Sequence, residues 1–538
     1  MNKLSLLSSN RIDFTSLFSM PGFEVQKIIG TTYSLSYETL LMLILGATYG
    51  PGADAALEHH SGKISPAAIF AAIKNMRGKL KVYCQTDKCD INLSGGGDEN
   101  ILRIKSLLDE FIEPVPMIKA GDSFSSFHPK VWQIFFKPVS PETATCRQRF
   151  IVTSRNLTSN RDFDAAAVFE FSGESEIPQA LDITNFNQND FLIAGKIISG
   201  EDAEKCHSVV SPFLDAGLLK KLTPENKMNI FSLRSEINKV WKQDAGLLEK
   251  YNFFCFNPAL ENSSGESPHS SIHAKLYISD TSVIIGSSNF TRRGWKHNRE
   301  FNIKLESGIP AETLLEQFGI EKNGGYGKGM FVPYTPPGDP DEVRDDDKDT
   351  LLQQLAGLVL EAVWEKDRLS LKIENPLNAD LSGILWRPLW ADAWKKEELT
   401  WEMSAADACG IFLCRVPGQP DIQMLAALAG KEELWDKRYA AERRKLPLTD
   451  ELDYRMLCAE TPAELYGRDV PLKRSGGGAG GSYTPPKPPV LERLLKMDPV
   501  QREKFFAGEI EERPDDPLGL VQAFRELKQF FGISGEIK

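Results

Sequence analysis

Cysteine is scarce in this sequence and is never closely paired. The chain has eight cysteines in 538 residues, and none of them occurs in C-x-x-C spacing. That spacing is typical of structural zinc sites, and dense cysteine pairing is typical of secreted disulfide scaffolds. We therefore expect neither a metal site nor a disulfide framework, and we interpret the chain as a cytoplasmic protein with reduced thiols.

Long apolar runs are lacking as well. The most apolar stretch, residues 40–47, is far shorter than the roughly 20 residues that a helix needs to span a bilayer. The first 18 residues lack the charged-then-apolar layout of a signal peptide. We therefore expect no membrane span and no secretion signal.

An excess of positive charge is also absent. The sequence has 63 basic and 75 acidic residues, which gives a formal net charge of −12. This acidic total argues against a protein that coats nucleic acid along its whole surface. It is compatible with a local basic cleft, because attraction of a substrate depends on the local electrostatic field.

Strand and helix patterns alternate through the first 330 residues. Apolar alternation predicts strands at residues 25–33 and 80–85, and an apolar stripe predicts a helix at residues 37–47. This alternation is typical of an α/β fold whose sheet is covered on both faces. We divide this part of the chain into two blocks, residues 1–175 and residues 176–330.

The composition changes after about residue 330. Residues 331–350 are rich in proline and acidic side chains and are predicted to form a linker. Short apolar runs in residues 351–470 predict a small, mostly-β accessory domain. A Gly- and Pro-rich linker at residues 471–489 leads to a predicted helical tail at residues 490–538. We expect this C-terminal region to contact a protein partner or a second copy of the chain.

The most informative feature is an internal repeat. Each copy has a His-x-Lys motif, followed by a predicted hairpin whose return strand leads into a Ser-x-Asn motif. The residues are His128, Lys130, Ser154 and Asn156 in the first copy, and His273, Lys275, Ser287 and Asn289 in the second. The first copy has the longer hairpin, because residues 138–148 insert a proline-containing polar loop.

The spacing within each motif brings its side chains together. Residues i and i+2 of an extended strand point to the same face, so the histidine and lysine of each copy project together. The serine and asparagine, again at i and i+2, return beside them. We therefore predict that each copy presents an imidazole, an ammonium, a hydroxyl and an amide at one point.

This set of groups suits a phosphate diester. Lysine supplies positive charge, and asparagine and serine supply donors to the non-bridging oxygens. Of two facing histidines, one can attack phosphorus and the other can protonate the leaving oxygen. Because the lysines stabilise the developing charge, this chemistry requires neither a metal nor another cofactor. A single His-x-Lys motif is common by chance, whereas two matched copies favour a shared site.

A carboxylate is expected to hold each imidazole in its reactive tautomer. We predict that Glu300 holds the histidine of the second copy, and that either Asp162 or Asp164 holds that of the first. Arg155 is a candidate substrate contact, alongside the two serines. Asp280 lies outside the convergent set.

These residues resemble the phospholipase D superfamily, whose hallmark is a pair of His-x-Lys motifs. The resemblance covers about residues 20–320, and the second copy, including Asp280, fits the family pattern in full. The first copy has Phe135 where the family has an aspartate. This departure resembles the tyrosyl-DNA phosphodiesterase branch.

The resemblance implies two pseudo-symmetric α/β halves that share one active site. It also implies a covalent phosphohistidine intermediate and activity in the presence of chelators. By this analogy His128 is the nucleophile and His273 the general acid, with the reverse assignment open. The phosphate would be bound by Lys130, Lys275, Asn156 and Asn289.

Family resemblance does not determine the substrate, and three hypotheses remain. The favoured one is a nuclease or nucleic-acid-processing enzyme, with DNA preferred to RNA and a role in restriction or defence. The second is a phospholipase or phospholipid synthase, which would need an apolar entrance or an interfacial helix. The third is a non-catalytic binding module with the same fold. Basic residues near the motifs offer a local footprint for nucleic acid: Lys137, Arg147, Arg149, Arg155, Arg161, Arg292, Arg293, Lys296 and Arg299.

Overall fold

The computed structural model describes most of the first 443 residues. The described residues are 15–50, 66–91, 99–120, 123–139, 145–160, 162–172, 199–224, 226–257, 271–320, 329–336 and 350–443. They form a mixed α/β structure with several sheets and, within these ranges, 11 α-helices. The linker predicted at residues 471–489 and the tail predicted at residues 490–538 lie outside the described residues.

The first block is built around a six-stranded sheet. The strands of the whole block, six of which form this sheet, are β1 (Phe23–Thr32), β2 (Leu35–Ser36), β3 (Leu80–Gln85), β4 (Cys89–Asp90), β5 (Ile112–Val115), β6 (Ile118–Ala120), β7 (Ser123–Ser125), β8 (Val131–Pro138), β9 (Arg147–Thr153), β10 (Asp162–Phe163) and β11 (Ala166–Ser172). Its helices are α1 (Tyr37–Tyr49), α2 (Pro66–Met76) and α3 (Glu99–Ser106), with 3-10 helices at Thr15–Phe18 and Leu107–Phe111. The sheet order is β11-β9-β8-β1-β3-β5, in which β1, β3 and β5 run parallel.

Local sequence explains how β1 and α1 are placed. Gly30 in β1 lies against the ring of Trp132 in β8, where a Cβ would come within 2.2 Å of the ring atoms. A glycine is therefore required for β1 to pair closely with the strand that follows the first His-x-Lys motif. Helix α1 begins after Ser36, whose hydroxyl accepts from the Thr39 amide at 3.2 Å. It ends at Gly50, where φ is +82°.

The second block is built around a seven-stranded sheet. The strands of the whole block, all of which except β15 form this sheet, are β12 (Ser208–Val210), β13 (Asn229–Ser232), β14 (Asn252–Phe256), β15 (Ser271–Ile272), β16 (Leu276–Ile278), β17 (Val283–Gly286), β18 (Asn302–Leu305) and β19 (Phe331–Pro333). Its helices are α4 (Gly200–Glu204), α5 (Ala216–Lys221), α6 (Arg234–Gln243), α7 (Leu247–Lys250), α8 (Arg292–Lys296) and α9 (Ala311–Gln317). The sheet order is β18-β17-β16-β12-β13-β14-β19, so β19 extends this sheet beyond the boundary predicted at residue 330.

The two sheets have the same strand order over six strands. Starting from β11 in the first sheet and from β18 in the second, the first three pairs of neighbouring strands are antiparallel and the next two pairs are parallel. One face of each sheet packs against helices, and the other faces contribute to shared apolar clusters. Phe150 of the first block and Phe301 of the second, for example, have ring centroids 6.0 Å apart. The two blocks therefore share part of their apolar core, and α9 also covers the second sheet on that side through Leu314.

Residues 350–443 form an accessory domain that is mostly β. Its elements are α10 (Thr350–Leu355), β20 (Val359–Glu365), β21 (Arg368–Glu374), β22 (Leu385–Pro388), β23 (Thr400–Glu402), β24 (Ile411–Arg415), β25 (Ile422–Leu425), β26 (Ala427–Ala429) and α11 (Lys431–Arg443). The strands make a four-stranded sheet, β23-β21-β20-β26, and a three-stranded sheet, β22-β24-β25.

The accessory domain packs on the first block through both apolar and charged contacts. Trp435 and Tyr439 belong to the same buried apolar cluster as α1. Arg438 of α11 reaches Asp109 at 2.8 Å, and the two side chains are only 2% and 4% exposed. The amide of Gly410 also donates to the Asp109 carboxylate, at 2.8 Å. Asp109 thus ties the accessory domain to the first block from two directions.

Among the described residues, no helix combines the length and apolar character that crossing a bilayer requires.

Substitution of Asp109 by alanine is expected to lower the free energy of unfolding by about 3–5 kcal/mol, because it leaves the guanidinium of Arg438 buried without its partner. The measurement is urea denaturation followed by tryptophan fluorescence. The paired change Asp109→Leu with Arg438→Met should recover most of the loss, since it removes both buried charges. Glu201→Ala, which removes an exposed ion pair with Lys205, is the control and should change little. Equal losses in Asp109→Ala and Glu201→Ala would contradict the prediction.

Candidate active site

The two half-sites meet through crossed histidine–carboxylate pairs. The Nδ1 atom of His128 lies 2.8 Å from Oε2 of Glu300, and the Nδ1 atom of His273 lies 3.0 Å from Oδ1 of Asp164. Each histidine is therefore held by a carboxylate of the other block. The predicted pairing of Glu300 with the second copy, and of Asp162 or Asp164 with the first, is wrong.

Backbone pairing between the blocks produces this crossing. Strand β10 runs parallel to β15, with Phe163 opposite Ile272, and the next residues along the two strands are Asp164 and His273. On the other side Phe127 pairs with Arg299, and the next residues are His128 and Glu300. The amide of His128 donates to the Arg299 carbonyl at 2.9 Å. Contacts distant in sequence, rather than proximity along the chain, thus decide which carboxylate holds which histidine.

The serines of the Ser-x-Asn motifs hold the carboxylates. The hydroxyl of Ser154 donates to Oδ1 of Asp164 at 2.7 Å and accepts from the Ala165 amide at 2.9 Å. Ser287 likewise accepts from the backbone amide of the residue after Glu300 and hydrogen-bonds the Glu300 side chain. Both serines are 0% exposed. The prediction that they contact substrate directly does not hold, because both hydroxyls are occupied inside the protein.

The two lysines are fully buried beside the histidines. Lys130 Nζ donates to the carbonyl of His128 at 2.9 Å and lies 3.1 Å from that residue's Nε2. Lys275 Nζ donates to the carbonyl of His273 at 2.5 Å. Both lysines are 0% exposed. The His-x-Lys segments directly precede β8 and β16 rather than lying within them.

Burial lowers the pKa of both lysines and both histidines at this site, and a neighbouring lysine charge adds to the effect for all of them except Lys275. Burial lowers the pKa of Lys275 to about 7. Burial, followed by the charge of Lys275, holds the pKa of Lys130 well below its ordinary value. The same causes lower the pKa of His273 to about 3, and burial with both lysine charges holds the pKa of His128 far below its usual range. Both imidazoles are therefore neutral at pH 7 when no anion is bound.

The two carboxylates differ in their ionisation. Burial raises the pKa of Glu300 to about 8, although the charge of Lys130 opposes the shift. Burial acts in the same direction on Asp164, but the hydrogen bond with His273 and the charges of His273 and Lys275 outweigh it and lower the pKa below its ordinary value. Asp164 is therefore ionised at neutral pH, whereas Glu300 is largely protonated and can accept the Nδ1 proton of His128 through its carbonyl oxygen.

The asparagines lie just beyond the return strands β9 and β17. The Oδ1 atoms of Asn156 and Asn289 are buried and have no hydrogen-bond partner within the described ranges. A buried acceptor without a partner costs free energy. Both half-sites therefore leave an amide free to rearrange toward a bound ligand.

Several basic side chains near the motifs hold the structure together. Arg155 donates to the backbone carbonyls of Thr158 and Asn160, at 2.9 and 2.8 Å. It also lies 3.6 Å from Asp164, so it braces the loop that follows Asn156. Arg299 is 1% exposed and is not available to a ligand. Arg161 lies outside the described residues. Fewer basic side chains are therefore available to bind nucleic acid than the sequence predicted.

Sequence reasoning missed two residues that contact the first half-site. The ring centroid of Tyr33 lies 4.9 Å from that of His128. Gln85, which is 0% exposed, accepts from the amide of Phe127 at 3.1 Å and so positions the residue before His128. The available signal for both was their place at the carboxyl ends of predicted parallel strands, where α/β proteins bind ligands.

Asp280 lies outside the site, on the turn between β16 and β17, with its side chain 77% exposed. The turn itself is held by Ser279, whose hydroxyl accepts from the Ser282 amide at 2.9 Å. The position of Asp280 explains why Phe135 in the first copy does not remove a group from the site.

The converging side chains supply what phosphoryl transfer requires. They provide two neutral imidazoles, two lysines that can carry positive charge, and two carboxylates that fix the imidazole tautomers. Within the described ranges, no three His, Cys, Asp or Glu side chains are grouped so that they could hold a metal ion.

Comparison with known proteins gives one family match. Residues 223–320 match the family described as cardiolipin synthase, PLD-like domain. No curated protein matches the chain. Among solved structures, polyphosphate kinase from Porphyromonas gingivalis is 10% identical, with 56% of this chain and 46% of the kinase chain covered and a TM-score of 0.27. That likeness spans about half of the kinase and is too low to support a common fold. The family match covers the second half-site, including His273, Lys275, Asn289 and Glu300, and supports the resemblance of this part of the chain to the phospholipase D superfamily.

Proposed function

We propose that this protein is a phosphodiesterase that acts on nucleic acid through a covalent phosphohistidine, with two pseudo-symmetric halves forming one active site. The observation that carries the proposal is the pair of crossed contacts, His128 with Glu300 and His273 with Asp164. Such contacts orient two imidazoles from different blocks toward one place, as a two-step displacement at phosphorus requires.

His128 is the proposed nucleophile. With its Nδ1 proton directed to Glu300, the Nε2 lone pair is available, and burial together with the lysine charges keeps the imidazole neutral by lowering its pKa. Nε2 forms a bond to phosphorus while the bond from phosphorus to the leaving oxygen breaks. His273 gives a proton to that oxygen, so that it departs as a neutral hydroxyl.

His273 is the proposed general acid, and then the general base. Its partner Asp164 is ionised and stabilises an imidazolium, and the negative charge of a bound diester offsets the lysine charges that lower the pKa of His273. In the second step His273 removes a proton from water. The water oxygen bonds to phosphorus as the phosphorus–nitrogen bond breaks, which releases a phosphate monoester and neutral His128.

Lys130 and Lys275 are the proposed ligands of the non-bridging oxygens. Within the described part of the chain, their ammonium groups hydrogen-bond to the carbonyls of the two histidines and to the His128 ring, and the charge of Lys275 lowers the pKa of Lys130. A diester between them would supply the missing negative charge. The amide nitrogens of Asn156 and Asn289 would add neutral donors.

Nucleic acid is the proposed substrate class, with a phospholipid as the alternative. The described part of the chain has only four exposed large hydrophobic side chains, Met42, Val139, Phe213 and Val359, which lie on or beside four different elements. This distribution does not favour a lipid surface. The alternative is favoured by the name of the matching family, which refers to cardiolipin synthase.

Full-length protein is expected to cleave end-labelled single-stranded or double-stranded DNA or RNA in the presence of EDTA. His128→Ala and His273→Ala should each lower the cleavage rate by about 10³-fold or more, because each removes a group that acts directly on the reacting atoms. Acid-labile phosphate should be trapped on the wild-type protein. It should be absent from the His128→Ala protein.

His297→Asn is the matched control, since His297 lies outside the convergent set and should leave cleavage unchanged. Release of the headgroup from labelled phospholipid, without nucleic-acid cleavage, would replace the proposed substrate class by the alternative. Failure to cleave either substrate would contradict the catalytic proposal and favour a binding module.

Substitution of the two carboxylates should separate the roles of the histidines. Asp164→Asn should slow cleavage of an oligonucleotide by about 10²-fold or more, because protonation of the leaving oxygen is impaired. In the same variant the burst of p-nitrophenolate from the p-nitrophenyl ester of thymidine 5′-monophosphate should be nearly wild type, because that leaving group needs no proton and the burst precedes the second step. Glu300→Gln should slow both reactions, since it impairs attack. The opposite pattern in a stopped-flow assay would reverse the two assignments.

Binding of tungstate, a phosphate-like dianion, should weaken as the pH rises through about 7. The pKa of Lys275 is about 7 in the anion-free protein and rises when an anion lies beside it, so binding takes up a proton. Affinity should therefore be full below pH 7 and should fall by about tenfold per pH unit above it. Calorimetric titration from about pH 6 to pH 9 measures this slope. Lys275→Arg should flatten it, because a guanidinium remains charged, and a flat wild-type profile would contradict the prediction.

A further inference from the structure

Asn298 lies at the contact between the two blocks, two residues before Glu300. Its Oδ1 atom accepts from the Ser126 amide of the first block at 3.3 Å, and its Nδ2 atom donates to Oε1 of Glu300 at 3.2 Å. The other carboxyl oxygen of Glu300, Oε2, faces Nδ1 of His128. A chain of hydrogen bonds therefore runs from the backbone of the first block, through Asn298 and Glu300, to the proposed nucleophile.

The backbone of Ser126 determines the orientation of the Asn298 side chain. A backbone amide can only donate, so the side-chain oxygen of Asn298 must face it, and the side-chain nitrogen is left to face Glu300. That nitrogen can likewise only donate. Oε1 of Glu300 must therefore act as an acceptor, and the carboxyl group is held at both of its oxygens.

The hydrogen bond from Asn298 also favours the ionised form of the carboxyl group. Burial raises the pKa of Glu300 to about 8, whereas the charge of Lys130 and the hydrogen bonds from Ser287 and Asn298 oppose this shift. An ionised carboxylate can only accept, so it requires the proton of the His128 imidazole to be on Nδ1. A carboxyl group that keeps its proton can instead donate it to Nδ1. The imidazole proton would then be on Nε2, and the lone pair needed for attack would be lost.

The second histidine–carboxylate pair is held by different groups. Oδ1 of Asp164 accepts from the Ser154 hydroxyl and faces Nδ1 of His273, and Oδ2 lies 3.6 Å from the guanidinium of Arg155. A substitution at Asn298 therefore removes a contact of one pair and leaves the contacts of the other in place.

We propose that Asn298 is a positioning residue for the nucleophile, which holds Glu300 as an acceptor and so keeps His128 in the tautomer whose Nε2 lone pair is free. This inference rests on the proposed function and deepens it, because it makes the first displacement depend on a residue that acts only through Glu300. Since Asn298 is bound to Ser126, the same contact links the tautomer of the nucleophile to the association of the two blocks.

The kinetic test compares full-length wild-type protein with Asn298→Ala. The burst of p-nitrophenolate from the p-nitrophenyl ester of thymidine 5′-monophosphate reports attack by His128. It should be slower by about 10- to 100-fold in the variant, as is typical when a group that orients a reactive residue is removed. The affinity for tungstate should stay the same, because the contacts of Lys130 and Lys275 do not involve Asn298.

Solid-state 15N NMR of histidine-labelled protein reads the tautomer directly and requires no turnover. The signals of His128 are identified by their loss in His128→Asn. In the wild-type protein Nδ1 of this residue should carry the proton and Nε2 should not. In Asn298→Ala a second population, with the proton on Nε2, should appear.

Asn252→Ala is the matched control, because it removes a side-chain amide hydrogen bond to Asn229 elsewhere in the second block, and it should change neither reading. A wild-type burst rate or an unchanged tautomer in Asn298→Ala would overturn the inference. A slower burst with equally weakened tungstate binding would overturn it too, since the whole site would then be disturbed. If the wild-type protein shows neither a burst nor cleavage, the proposed function fails, and the tautomer measurement still decides the role of Asn298.

Discussion

Two short backbone pairings between the blocks bring together the histidines and carboxylates of the candidate active site. Phe163 runs beside Ile272 and Phe127 beside Arg299, and in each case the next residues are a carboxylate and a histidine that bind each other. Neither block can complete its own histidine–carboxylate pair. The reactive geometry therefore depends on how the blocks associate, and a small shift between them would misalign both imidazoles at once.

The site is electrostatically unfavourable in the absence of an anion. Lys130 and Lys275 are fully buried, which lowers the pKa of both lysines, and the charge of Lys275 lowers the pKa of Lys130 further. Such an arrangement lowers the folding stability and raises the affinity for an anion, as is common at functional sites. The two carboxylates offset part of the cost, but their unequal pKa values leave the two histidines inequivalent. Inequivalent histidines suit a reaction in which one attacks while the other transfers a proton.

The parts of this structure that depend on nearby residues could be predicted from the sequence. The hairpins that follow His128 and His273 formed as the strand patterns predicted, and in the first motif the ammonium of Lys130 lies 3.1 Å from the imidazole of His128. The carboxylate pairing could not be predicted, because it depends on strand pairing between residues more than 100 positions apart. The role of Ser154 was missed for a related reason, since a serine after a strand can face either a ligand or a neighbouring carboxylate.

The accessory domain shares one hydrophobic core with the first block, and Asp109 is held by residues of both. A shared core has a consequence for how such a protein can diversify. An accessory domain joined only by a linker can be exchanged between relatives by recombination, whereas this one must be exchanged together with the face of the first block that it covers. Trp435 and Tyr439 should therefore vary in concert with Arg77 and Phe70, which they contact, and this pair of segments should be inherited as one unit.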